Sequence, residues 1–130
     1  MKVTTAIIAA ALCLDATTAS FAEVDNATPQ EVFDAMRKSF RADKAMRVYV
    51  RYQFEINGPR GGFWRIEVDD GKCKIDKGKI DKADVTFIAS DKDWVALSNG
   101  KLNGFWATLT GRLKIRGDQN LARKLDEMFP

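Results

Sequence analysis

The chain has 130 residues, enough for one domain that buries a core and still has room for one modest cavity. With 45% hydrophobic and 30% charged residues it reads as an ordinary globular protein, and 21 basic against 18 acidic residues leave +3, too small and too mixed an excess to argue for nucleic acid. Histidine is absent and cysteine occurs only at Cys13 and Cys73, which removes the commonest general base and metal ligand and leaves poor candidates for a nucleophile.

Residues 1–22 have the layout of a secretory signal peptide: Lys2 supplies a basic start, Ala6 to Leu14 are apolar, and Ser20-Phe21-Ala22 puts small residues where signal peptidase reads. The apolar run is too short for a permanent anchor, and Leu12 before Cys13 argues against lipidation. The expectation is a cleaved leader over 1–22, a linker over 23–27, one domain over 28–130, and a periplasmic or secreted location. The alternative is an uncleaved helix packed on the domain or on a membrane, in a cytoplasmic protein.

Thr28-Pro29-Gln30-Glu31 is a helix start, with Thr28 as cap, Pro29 at the first position and Glu31 closing a capping box. The helix is predicted to reach Phe40, with Val32, Phe33, Met36 and Phe40 on one stripe. Arg47 to Asn57 then alternate: Val48, Val50, Tyr52, Phe54 and Ile56 face inward, and Arg47, Tyr49, Arg51, Gln53 and Glu55 face water. A glycine-rich turn over 57–62 leads to a second strand with Trp64, Ile66 and Val68 inward, and Asp70-Gly71 is a hairpin signal before a third strand over Lys72 to Lys77. Lys77 to Asp84 read as loop, and Val85 to Ala89 as a fourth strand. Ser90-Asp91-Lys92-Asp93 opens a short helix through Leu97, Asn103 to Thr110 suggest another, Leu113 to Ile115 form a fifth strand, and Asp118 caps a final helix carrying Leu121, Leu125 and Met128 on one face. The predicted class is α+β: a five-stranded, mainly antiparallel sheet with helices covering one face.

No nucleophile elbow, phosphate-binding loop or dinucleotide fingerprint is present. Pro59 removes an amide donor from the glycine-rich turn and no helix follows it. Asp69-Asp70 belong to a turn, and Asp91 with Asp93 to a helix start; neither pair has calcium-loop spacing. No metal and no cofactor are expected, and no catalytic residue is assigned. The large apolar side chains are more informative, because ten phenylalanines and tryptophans between Phe33 and Phe129, with Met36, Met46 and Met128, are many for a small domain. Composition alone favours a plain packed core, and periodicity does not distinguish such a core from a lined pocket.

Order becomes specific at 83–117. Ala-Asp-Val-Thr-Phe-Ile-Ala-Ser-Asp-Lys-Asp-Trp runs from Ala83 to Trp94, followed by Asn99-Gly-Lys-Leu-Asn103, Gly111-Arg-Leu-Lys-Ile-Arg-Gly117 and Asn120-Leu-Ala-Arg-Lys-Leu125. This series resembles the lipid-transfer domain of the sterol carrier protein family, and the likeness extends more loosely back to Thr28, about four-fifths of the chain. The resemblance implies an apolar tunnel between sheet and helices that takes a sterol, fatty acid, acyl-CoA, phospholipid or isoprenoid without cofactor and without covalent chemistry. Carried over by position, the lipid-binding residues are Phe33, Met36, Phe40, Phe54, Ile66, Val85, Phe87, Trp94, Leu97, Leu102, Phe105, Trp106, Leu109, Ile115, Leu121, Leu125 and Met128.

Three departures stand out. Gly104, Phe105 and Trp106 replace the family's usual Pro-Gln-small run, Thr110 replaces a common Gln, and the chain ends Glu127-Met128-Phe129-Pro130, not in a peroxisomal tripeptide. The expected partners are a lipid ligand and a transient membrane surface, met by Phe105 and Trp106, with a monomeric protein and no nucleic acid. The final helix is a candidate lid. The competing class is an accessory module with a filled core that serves a lipid- or quinone-processing enzyme.

Overall fold

The computed structural model describes residues 26–130. The expected leader over 1–22 and residues 23–25 of the expected linker lie outside the described residues. The first helix, α1 (Pro29–Ser39), starts as its capping residues dictate: the Thr28 hydroxyl accepts from the Glu31 amide at 3.2 Å, and the Glu31 carboxylate accepts from the Ala27 amide at 2.7 Å. A single 3-10 turn (Ala42–Lys44) leads to the sheet.

The five strands are β1 (Tyr49–Asn57), β2 (Gly62–Asp69), β3 (Lys72–Lys77), β4 (Val85–Ser90) and β5 (Leu113–Gly117), in spatial order β3-β2-β1-β4-β5. Every neighbouring pair is antiparallel except β1 with β4, which is parallel, so the sheet is mixed and mainly antiparallel. Register carries one row of side chains across it: Phe54 lies opposite Trp64 and Phe87, and Phe87 opposite Ile115. Partners in register point to the same side, so this row forms the inner face.

Helices α2 (Asp91–Ser98), α3 (Gly104–Leu109) and α4 (Gln119–Met128) complete the layer that α1 begins. Each has a side-chain cap: Ser90 accepts from the Asp93 amide, Asn103 from the Phe105 and Trp106 amides, and Asp118 from the Asn120 and Leu121 amides. Gly117 ends β5 at φ +105°, and a Cβ there would meet the Asp84 carbonyl oxygen at 2.2 Å, so only glycine fits.

A parallel β1–β4 pair cannot be joined by a tight turn, so the chain from β3 must cross to the far side of β1. Hydrogen bonds offset the desolvation of Gln53 beneath that crossing: its side-chain nitrogen donates to the Trp64 and Gly78 carbonyls, and its oxygen accepts from the Ile80 amide at 2.6 Å. Gln53, expected on the wet side, is therefore buried (5% exposed). Alternation correctly gives its side of the sheet but does not see the segment laid over it.

Over β1 and β2 the inner layer is filled by rings. Phe33 from α1 stacks on Trp64 at 4.9 Å and on Trp94 at 5.6 Å, and meets Phe54 edge-on at 5.1 Å. Phe33 and Phe54 are fully buried, and burial of a ring of this size stabilises by roughly 1.5–3 kcal/mol each.

Candidate functional site

Beyond Phe87 the rings give way to smaller side chains and a cavity of about 850 Å³ opens between the β4–β5 end of the sheet and the helices. Helix α1 contributes Val32, Ala35, Met36 and Ser39, a helical i, i+3, i+4, i+7 stripe. The sheet contributes Phe87, Leu113 and Ile115 as floor, and α2 contributes Trp94 and Leu97. Leu102, Phe105 and Thr108 wall the α3 side; Gln119, Ala122, Arg123, Leu125 and Asp126 wall the α4 side, with Phe129 and Pro130 beyond. The deep wall is apolar. Polar groups gather where the side chains are exposed, at Gln119, Arg123 and Asp126, which marks the rim.

Eight of the residues expected from sequence meet at this wall: Met36, Phe87, Trp94, Leu97, Leu102, Phe105, Ile115 and Leu125. Phe33, Phe54, Ile66, Val85 and Met128 lie instead in the packed core, and Phe40 and Leu121 pack against it, Phe40 on the Phe129 ring at 5.3 Å. Trp106 and Leu109 are on neither, being 58% and 65% exposed. Sequence reasoning missed Ala35 and Ala122, because it looked for large apolar side chains and a void is made by small ones. Their i, i+3 spacing from Val32 and Leu125 was the available signal.

Helix α4 is held more firmly than a lid docked by one stripe. The Tyr52 hydroxyl donates to the Leu121 carbonyl at 2.6 Å, the Arg41 amide donates to the Met128 carbonyl at 2.7 Å, and Met128 is fully buried. Burial raises the Tyr52 phenol well above its ordinary range, so it remains a donor. By contrast α3 buries only Ala107. The turn after α3 is tied to α2 by Arg112, whose guanidinium donates to Asp93 at 2.6 Å and holds that carboxyl below the usual carboxylate range. Partial burial does the opposite to Asp126 at the rim, raising its carboxyl. At the start of the described chain Asn26 also lines the cavity, held there by two hydrogen bonds with Asn99 at 3.0 and 2.8 Å.

The remaining reactive group is not placed for chemistry here. Cys73 sits on β3, outside the cavity wall, and burial pushes its thiol up to about 11, so it stays protonated at neutral pH. Among the described residues no group of three or more acidic or cysteine side chains is placed to hold a metal ion, and no helix is long and apolar enough to cross a membrane.

Among the described residues, a mixed five-stranded sheet lies under four α-helices, and a cavity that is apolar at depth and open at its rim lies between them, which defines a small α+β domain. The chain belongs to the SCP-2 sterol transfer family, whose family model matches residues 31–130. It is similar to hydroxysteroid dehydrogenase-like protein 2 of Xenopus laevis, 32% identical over 110 residues, which cover 83% of this chain and 26% of that protein. The chain thus spans about a quarter of the length of the curated relatives it matches. Among solved structures, the sterol carrier protein domain 2 of Helicoverpa armigera is 35% identical with a TM-score of 0.61, covering 80% of this chain and 91% of that one. Sterol carrier protein-2 of Aedes aegypti, solved in complex with palmitate, shares the fold at 19% identity and a TM-score of 0.55, covering 75% and 94% of the two chains.

Proposed function

We propose that this protein is a non-catalytic lipid carrier that takes one apolar tail into the cavity between α1, α3, α4 and the β4–β5 end of the sheet, and releases it unchanged. The observation that carries this reading is the void itself: about 850 Å³ lies within the roughly 300–1,000 Å³ of small-molecule sites, and its deep wall is aliphatic and aromatic. A buried tail gains about 25 cal/mol for each Å² of apolar surface removed from water, before ordering costs. The hydroxyls in the wall, on Ser39, Ser98 and Thr108, each donate to a backbone carbonyl of their own helix and not to a base. Gln119, Arg123 and Asp126 at the rim leave a polar headgroup in water or in hydrogen-bonding reach. Palmitate in the Aedes aegypti relative supports a fatty acyl ligand.

Titration of delipidated full-length protein with a fluorescent fatty acid tests this. The expected outcome is saturable one-to-one binding, competed by palmitate. Absence of saturable binding to folded protein, or conversion of the ligand, would overturn the reading. A second arrangement is favoured by the length comparison alone. In the Xenopus laevis relative the matching segment is about a quarter of a longer chain, so a domain of this kind can also hold lipid for an attached or partner enzyme.

A further inference from the structure

We propose that α3 is a membrane-docking tip that presents the mouth of the cavity to an anionic phospholipid bilayer, so that lipid enters and leaves without crossing water. The proposal rests on the carrier reading for its purpose and on separate observations for its geometry. Phe105, Trp106 and Leu109 are 69%, 58% and 65% exposed, which is costly for three large apolar side chains on one six-residue helix. Phe105 and Thr108 of the same helix form part of the cavity wall. The exposed tip and the cavity mouth are therefore one element, and a surface that covers the tip also faces the opening.

Charge selects the surface. Residues 99–117 carry Lys101, Arg112, Lys114 and Arg116 and no acidic residue, whereas the rest of the chain carries 17 basic and 18 acidic residues. The net positive charge of the chain thus falls in the segment that contains α3 and β5. Arg112 is partly committed to Asp93, and Lys114 and Arg116 lie exposed on the edge strand β5, opposite Ile88 and Thr86 and therefore on the sheet face away from the helices. An exposed aromatic helix joined to a cationic edge strand matches the interface of an anionic bilayer, where tryptophan rests at headgroup depth and each lysine or arginine within a Debye length adds attraction that salt screens.

The three tryptophans make the test direct. Trp64 and Trp94 are 2% and 8% exposed and Trp106 is 58% exposed, but Trp94 lines the cavity and would meet a brominated tail taken up there, so the quenching that reads docking is the part lost in Trp106→Phe. The full chain is mixed with vesicles of phosphatidylcholine, with and without phosphatidylglycerol, in which a fraction of the acyl chains is brominated. The expected result is quenching by the anionic vesicles that weakens as salt rises. Trp106→Ser with Leu109→Ser is expected to weaken vesicle binding, read by sedimentation, about tenfold or more, and Lys114→Glu with Arg116→Glu to abolish the preference for anionic lipid. None of these four residues lines the cavity, so affinity for the fluorescent fatty acid in vesicle-free solution is expected to stay within about twofold. Absence of quenching, equal binding to neutral vesicles, or a dimer of the wild-type chain that the double serine variant dissociates would each overturn the proposal; the last outcome would assign the patch to a second copy. A protein that docks but takes no fatty acid retires the carrier reading and keeps the docking surface, and one that takes fatty acid but does not dock does the reverse.

Discussion

The two halves of the inner layer are built on the same alternating strands yet end differently. Over β1 and β2, α1 lowers Phe33 among Phe54, Trp64 and Trp94, and ring meets ring with nothing between. Over β4 and β5 the floor shrinks to Phe87, Ala89, Leu113 and Ile115, and the helices above offer Ala35, Thr108 and Ala122. A void forms where small side chains face small side chains across the layer. Side chains around it lack packing partners on one side and lose dispersion energy, so the open half leans on the filled half for its shape. Trp94 joins the two, stacking on Phe33 while lining the cavity.

The sharpest way to break this contrast is to empty the filled half. Phe33→Ala removes three ring contacts from a fully buried position and is expected to cost about 3–5 kcal/mol in urea unfolding, with fatty acid binding weakened as well. A cost under about 1 kcal/mol would mean that the aromatic cluster is not packed as described. The complementary change fills the open half. Ala35→Phe places a ring into the cavity from α1 and is expected to change stability by under about 1 kcal/mol, because there is room for it, while weakening fatty acid binding about tenfold. Destabilisation of the size seen on overpacking a core, about 1–3 kcal/mol, would show that this half is already full.

Much of this architecture was legible in the sequence. Caps at Thr28, Ser90 and Asp118, alternation in β1 and β2 and the Asp70-Gly71 turn are local signals, read within a few residues. Strand partners are not local: the parallel pairing of β1 with β4, and hence the burial of Gln53 under the crossing chain, joins residues far apart in sequence. The cavity was the least legible part. Phe54 and Phe87 stack at 5.1 Å on neighbouring strands and look alike in the sequence, yet Phe87 lines the void and Phe54 does not. Which of the two borders empty space depends on Ala35 and Ala122, on two different helices, and no period in either strand encodes that.

The smallest effects concern two carboxylates of the open half, and they have opposite signs. Asp93 ties α2 to the turn behind α3, and hydrogen bonding from Arg112 lowers its carboxyl below the unfolded value of about 3.9. A depressed carboxylate stabilises the fold above the unfolded value, and that contribution is lost as pH falls through the folded one. Asp93→Asn is therefore expected to lower the melting temperature slightly at pH 7, by an amount that shrinks on acidification. Asp126, exposed at the rim but partly desolvated there, is raised, so its charged form costs a little stability at neutral pH and its protonation relieves the cost. Asp126→Asn is expected to raise the melting temperature slightly at pH 7 and to lose that advantage as pH falls past the unfolded carboxylate value. Melting curves of both variants against wild type across acidic pH check the pair. Effects of equal sign would mean that the rim carboxylate is as well solvated as the tethering one is well bonded, and that the mouth of the cavity is wetter than its geometry implies.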